Sequence, residues 1–187
     1  MEAAQHRFAN LPDEVAMKVS ALLASLEMCS PASTLPKEPI IMLVRPVTIS
    51  DSEQWIELRC LLWPEASSSA DVTRYFQKGM PVPGITLVAE SPGGMLGGFA
   101  ELSVRREYVE GATTTPVAYL EGLFVLPSLR KKGVARQLIE AAEVWAMEQG
   151  CAELASDTEL SNEASISLHQ ACGFTEVERA VAFIKRL

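Results

Sequence analysis

The run Leu120-Glu-Gly-Leu-Phe-Val-Leu-Pro127, followed at once by Arg130-Lys-Lys-Gly-Val-Ala-Arg136, constrains this chain more than any other feature. An apolar stretch stops at a proline, and a basic turn holding one glycine then opens a segment where Val134, Leu138, Ile139, Ala142 and Trp145 recur at helical spacing. The pattern predicts a strand, a tight turn and a helix over about 134–149 that packs one face on a sheet, with Gly150 as its C-terminal stop. A helix entered in this way aims its first N–H groups and its positive end at one point, where Arg130, Lys131, Lys132 and Arg136 add charge. Gly133 permits close backbone approach to a ligand, and Ala135 keeps the first turn slim. Such a point suits an anion the size of a pyrophosphate.

The flanking sequence predicts the rest of the layout. A strand over 41–47 precedes Ser50-Asp-Ser-Glu53, a capping-box pattern for a helix whose Trp55, Leu58 and Leu62 face inward and which ends near Trp63-Pro64. A second helix is expected over 71–78. Strands at 84–90 and 96–106 are joined by Ser91-Pro-Gly-Gly94, an antiparallel hairpin signal. After a loop at 109–116 come the strand at 117–126, the helix already described, a strand at 151–156, a helix at 162–172 closed by Gly173, and a last strand or pair within 174–186. The order β-α-α-β-β-β-α-β-α-β-β specifies an α/β fold, with one mixed, mostly antiparallel central sheet flanked by helices.

Residues 1–40 read as an N-terminal extension, and 41–187 as the main domain. Pro12 sits early in a helix whose Val15, Val19, Leu22, Leu23 and Leu26 share a face, and Ser30-Pro-Ala-Ser-Thr-Leu-Pro-Lys-Glu-Pro39 is a proline-rich linker. The apolar run after Lys18 resembles a signal segment only weakly, because Glu27 interrupts it. A net charge of −8 over 187 residues argues against nucleic acid as a partner and suits a cationic small molecule. Four scattered cysteines and two histidines, His6 and His169, give no metal-ligand spacing, so the expectation is no metal and a reducing, cytoplasmic setting. No apolar run is long enough for a membrane span.

The turn Arg130-x-x-Gly133-x-Ala135, the element order, and a closing Asn162…Ala171-Cys-Gly-Phe174 together resemble the GNAT acyltransferase superfamily over residues 41–187. Leu58-Arg-Cys-Leu-Leu-Trp-Pro64, Glu107-Tyr-Val-Glu-Gly111, Thr115-Pro-Val-Ala-Tyr-Leu-Glu-Gly122, Ala155-Ser-Asp157 and Glu178-Arg179 are similar to the bacterial aminoglycoside 6'-N-acetyltransferases. The resemblance implies the GNAT fold, acetyl-CoA as acetyl donor, and an aminoglycoside as the small-molecule acceptor. It further implies that Trp63, Tyr108, Glu121, Asp157 and Glu178 bind that acceptor. On the donor side, Phe124 and Val125 would pair with the pantetheine arm and Arg130, Lys131, Lys132, Gly133, Val134, Ala135 and Arg136 would hold the pyrophosphate. Asn162 would contact the arm. His169 stands where many GNAT enzymes carry a tyrosine that protonates the departing thiolate. A homodimer is common in the resembling family, and the strand at 181–186 can complete a neighbour's sheet or its own.

An acetyl thioester is already activated, so the chemistry needs an aligned amine, a proton acceptor and a donor to the carbonyl oxygen. Asp157 is expected nearest the amine, with Glu121 as second carboxylate and alternate base. Each has a plain structural alternative. Glu121 shares the alternating face of Leu123 and Val125, Asp157 suits a turn, Trp63 can staple a helix, Tyr108 can be a sheet aromatic, Glu178 can be an exposed strand residue, Asn162 can be an N-cap, and His169 can pack in the core. Other acceptors remain open on the residues alone: a polyamine, another small amine, or a protein N-terminus. So does a non-catalytic acyl-CoA-binding module.

Overall fold

Between 43 and 125 the chain is rich in apolar residues at strand spacing, and it forms four of the five strands of one sheet. The structure, a computed structural model, describes residues 41–78, 84–181 and 183–186. The expected extension over 1–40, with its helix and linker, lies outside the described residues. In order, the elements are β1 (Leu43–Pro46), α1 (Ser52–Leu62), α2 (Ser68–Lys78), β2 (Gly84–Glu90), β3 (Leu96–Arg105), β4 (Val117–Val125), α3 (Val134–Glu148), β5 (Leu154–Ser156) and α4 (Glu163–Ala171). The strands lie in sequence order, antiparallel from β1 to β4 and parallel between β4 and β5. The sheet is thus the mixed, mostly antiparallel one that the element order predicts.

Helices cover both faces, which is why the central strands are apolar on both sides. On one face Leu138, Ile139, Ala142 and Trp145 of α3 pack on Leu102, Val104, Ala118, Leu120 and Val125. On the other, Trp55 and Leu58 of α1 and Val72 of α2 pack on Val88, Phe99 and Phe124. Leu138 is wholly buried, and its replacement by Ala would cost about 2–5 kcal/mol on ordinary core grounds.

The β3–β4 ladder shifts register beside Glu101: Glu101 lies opposite Gly122, but the next residue, Leu102, lies opposite Leu120. Glu121 is therefore the extra residue of a β-bulge. This corrects the expectation that Glu121 shares a face with Leu123 and Val125. Ala118, Leu120, Leu123 and Val125 all pack with α3, so the strand keeps its alternation up to 120, spends two residues on the opposite side at Glu121 and Gly122, and resumes.

Four further boundaries differ from expectation. The capping box lies two residues earlier than Ser50: the Asp51 carboxylate accepts from the Thr48 N–H at 2.7 Å and the Asp51 N–H donates to the Thr48 carbonyl at 3.0 Å. Arg45 also forks onto Asp51 and holds its carboxyl well below the usual range. Helix α2 starts three residues early, at Ser68, whose side chain is buried. β5 starts three residues late, at Leu154, because its pairing with β4 begins there, opposite Ala118. No strand forms among the described residues of 174–186, where Val181, Phe183 and Ile184 are 70%, 93% and 95% exposed. Their apolar side chains have no partner strand among the described residues.

Candidate active site

The basic turn emerges from β4 through a 3-10 turn at Pro127–Leu129. Lys131 and Gly133 both take positive φ, 58° and 85°, which swings the backbone round into α3. Gly133 is the N-cap residue, no side chain caps this end, and the first intrahelical bond runs from Gln137 N–H to the Gly133 carbonyl at 3.0 Å. The amides of Val134, Ala135 and Arg136 thus lead out of the helix at its positive end, a cradle that fits a pyrophosphate. The four basic residues divide. Arg130 donates its Nε–H to the Val125 carbonyl at 3.0 Å and lies over the Phe124 ring at 5.7 Å. Arg136 donates to the Ala171 carbonyl at 2.8 Å, tying the start of α3 to the end of α4. Lys131 is exposed and Lys132 half-buried beside the cradle.

The parallel ladder between β4 and β5 ends at Leu120 opposite Ser156, while β4 continues to Val125. Beyond that point Phe124 and Val125 keep β3 on one side and have no strand among the described residues on the other. An extended arm of a ligand can add there as a strand would. His169 stands behind the split. Its Nδ1 lies 2.8 Å from the Ser165 carbonyl, which can only accept, so that nitrogen carries the hydrogen; Nε2 lies 3.0 Å from Ser156 Oγ, and the ring meets Phe174 edge-on. Asn162 caps α4, its side-chain oxygen accepting from Ser165 N–H at 3.1 Å.

On the sheet face opposite α3, the bulge projects the Glu121 carboxylate towards β3. Oε1 accepts from Ser103 Oγ at 2.5 Å and from Arg105 Nε at 3.1 Å, and Oε2 from Arg105 Nη2 at 2.6 Å. The Arg105 guanidinium lies over the Tyr119 ring. Asp157, the residue after β5, is close enough to interact electrostatically with both Arg105 and Tyr119. Burial opposes the charge of Arg105, but the hydrogen bonds and charge of Glu121 outweigh it, with Tyr119 and Asp157 adding to them, and hold the guanidinium more firmly protonated than usual. Burial, with the Asp157 charge behind it, pushes the Tyr119 phenol up.

Trp63 reaches the same part of β4. A Cβ at Gly122 would fall 2.3 Å from its ring, so only glycine lets the indole lie against the strand beside Glu121. Arg59 stacks over Trp63 at 4.8 Å and pairs with the buried Glu101 carboxylate, which also accepts from Trp55 Nε1 at 3.1 Å. Burial pushes the Glu101 carboxyl up, against the hydrogen bond and charge of Arg59. Tyr108 is 81% exposed on the loop after β3; its hydroxyl donates to Glu110, which raises the phenol's pKa, and Glu178 is close enough to act on it. The tail meets this loop at Gly111, where a Cβ would fall 2.6 Å from Val177. The structure therefore gathers Trp63, Glu121 and Asp157 along one stretch of sheet, and Tyr108 with Glu178 on the loop and tail.

The acetyltransferase (GNAT) family model matches residues 52–174. The chain belongs to the GNAT acetyltransferase family. An aminoglycoside N(6')-acetyltransferase type 1 of Klebsiella aerogenes is 45% identical over 148 residues, covering 78% of this chain and 97% of that protein. Its counterpart in Acinetobacter baumannii is 40% identical over 146 residues, covering 78% and 99%. Among solved structures, AAC(6')-Iy in complex with the bisubstrate analogue CoA-S-monomethyl-acetylneamine superposes with a TM-score of 0.71 at 40% identity, covering 78% of this chain and 99% of that one.

Several residues that shape this GNAT site were not singled out from the sequence. Arg59 carried a usable signal, since Trp55, Arg59 and Trp63 follow one another at intervals of four and so share a helix face. Ser103 and Arg105 become partners of Glu121 only through the β3–β4 register. Glu153 had no local signal at all. Its carboxylate accepts from the N–H and hydroxyl groups of both Thr113 and Thr114, some forty residues earlier, and so anchors the loop that bears Tyr108.

Proposed function

We infer that the protein transfers the acetyl group of acetyl-CoA to the 6'-amino group of an aminoglycoside, giving resistance to that antibiotic. The observation that carries this is where the β4–β5 ladder ends. Just past Leu120 and Ser156, the carboxylates of Glu121 and Asp157 stand on one face while the open edge of β4 leads to the cradle at 133–136. Acetyl-CoA supplies the activated acetyl group. Its pyrophosphate belongs in that cradle with Lys131 and Lys132 beside it, its pantetheine arm along Phe124 and Val125, and its thioester carbonyl against the Val125 amide. Arg130 and Arg136 act by bracing β4 and α4 around the cradle, and Asn162 and His169 by fixing the corner between β5 and α4.

An ammonium has no free lone pair, so Asp157, with Glu121 as alternate base, attracts the cation and takes its proton directly or through water. The amine nitrogen then bonds to the acetyl carbon, the carbon–sulfur bond breaks, CoA leaves as the thiolate, and the nitrogen gives up its second proton to water or to that thiolate. Trp63 supplies an apolar wall for the sugar ring, with Tyr108 and Glu178 across from it. The transfer is direct, within one complex of enzyme, donor and acceptor.

The names of the relatives favour an aminoglycoside over a polyamine, a protein N-terminus or a silent acyl-CoA-binding module. No helix of the described residues is long and apolar enough to cross a membrane, and a cytoplasmic site of action places the enzyme with its acetyl donor. The exposed Val181, Phe183 and Ile184, and the groove beside β5 lined by Leu154, Ala155 and Phe174, support a homodimer in which the tails find partners. Residues 1–40 would be an extension to the domain at 41–187. A thiol-release assay tests the activity: the enzyme is expected to acetylate tobramycin but not a matched aminoglycoside with a hydroxyl at the 6' position. Equal thiol release from both would overturn the 6'-amino assignment.

A further inference from the structure

Arg105 has no part in the reaction described above, yet its guanidinium lies on the carboxylate that the acceptor would need. It reaches Glu121 from the end of β3 as a fork, Nε to one oxygen and Nη2 to the other, at 3.1 and 2.6 Å. A carboxylate offers about four acceptor positions, and Arg105 with Ser103 fills three of them. The pair is not sealed in the core, since the two side chains are 39% and 33% exposed. Tyr119 supports the guanidinium from below, and Asp157 lies within electrostatic reach. The arginine thus sits on one carboxylate and within electrostatic reach of the other, where the cationic end of an acceptor would sit.

We propose that Arg105 is a built-in cationic competitor, which acceptor ammonium groups displace from Glu121, and that this exchange selects acceptors carrying several positive charges. The inference rests on the placement of the acceptor at Glu121 and Asp157. For a single ammonium the exchange runs at a loss: one charge-assisted contact to Glu121 forms as the two-bonded Arg105 fork breaks. A second or third ammonium on the same molecule meets further carboxylates, Asp157 first and then Glu110 and Glu178, which both act on Tyr108, and tips the exchange. A monoamine gains no such surplus. Specificity then comes from the cost of opening the pair as well as from contacts to the right acceptor.

Kinetics of the full-length enzyme with acetyl-CoA and tobramycin test this. Arg105→Gln is expected to lower KM for tobramycin at least threefold and leave KM for acetyl-CoA unchanged, and Arg105→Lys, which keeps the charge, should stay near the parent. In the double variant with Glu121→Gln the gain should vanish. A KM for tobramycin that rises or holds still in Arg105→Gln, while Glu121→Gln alone raises it, would overturn the competitor role and leave the acceptor site standing. A KM indifferent to Glu121→Gln would overturn both. On the unmodified protein, the Arg105 Nε–H signal in NMR should move towards its solvent-exposed position as tobramycin saturates the enzyme; a signal that stays put at saturation would refute displacement even if the variants failed to fold.

Discussion

Two arginine–glutamate pairs flank the bulge in the central sheet, and they differ chiefly in how much water reaches them. Arg59 and Glu101 have side chains only 10% and 13% exposed, whereas Arg105 and Glu121 are 39% and 33% exposed. The buried pair is boxed in by Trp55, Trp63 and Asp71, and the Arg59 Nε is left without a hydrogen-bond partner in the structure. Without Arg59 the Glu101 charge would be stranded, and without Glu101 the guanidinium would keep only the more exposed Asp71, at 3.2 Å. The exposed pair can open, because water or another cation can take the place of either member. The same two residue types therefore build architecture on one side of the bulge and an exchangeable contact on the other.

The largest expected effect would break the buried pair. Glu101→Ala should lower unfolding free energy by about 3–5 kcal/mol, the usual result of orphaning a buried charge, as read by urea denaturation. A loss below about 1 kcal/mol would make the two pairs equivalent and end the contrast. Next, on the exposed side, Asp157→Asn should reduce turnover of kanamycin-type acceptors at least tenfold, about 1.4 kcal/mol of barrier, with an unchanged urea midpoint. Unchanged turnover would remove Asp157 from the reaction. A third variant sharpens the division between donor and acceptor ends. Arg130→Ala releases the Val125 carbonyl and should raise KM for acetyl-CoA about fivefold, the size of a net hydrogen bond of about 1 kcal/mol, while KM for tobramycin stays put; a normal KM for acetyl-CoA would take Arg130 out of the donor site.

The smallest effect concerns the loop anchor. Hydrogen bonds from the Thr114 hydroxyl and the Thr113 amide, with others from the same two residues, hold the Glu153 carboxyl down at about 2, against 4.5 when free. A lowered folded-state pKa means that the anchor's contribution is complete above about pH 4.5 and disappears as pH falls towards 2. Thermal melts of Glu153→Gln should lie slightly below the parent at pH 7 and converge with it near pH 2. Parallel curves across that range would show that the carboxylate does not carry the anchor.

Much of this was legible from local sequence. Helix α3 and its cradle followed from apolar spacing and one glycine, and the hairpin of β2 and β3 from Ser91-Pro-Gly-Gly94, whose Gly94 N–H does close on the Ser91 carbonyl at 2.9 Å. Asn162 and Gly173 mark both ends of α4 as read. What escaped was whatever depends on register. Strict alternation assigns Glu121 to the face of Leu123, and nothing in the residues themselves announces the extra position. Arg105 was invisible as a partner of Glu121 for the same reason, being sixteen residues away and brought near only by strand pairing. The terminal strands were over-read because alternating apolar residues report a capacity to pair and not the presence of a neighbour.

The bulge makes β4 a strand with two reading frames. Up to Leu120 the even-numbered side chains face α3, and from Leu123 the odd-numbered ones do. A single deletion at this point would restore plain alternation, with Leu123 and Val125 still against α3 and Gly122 and Phe124 still opposite, and would remove only the bulge and the carboxylate it projects. The extra residue at 121 is thus independent of the core's packing, so the bulge can carry a carboxylate out of the sheet while both halves of the strand keep their apolar faces.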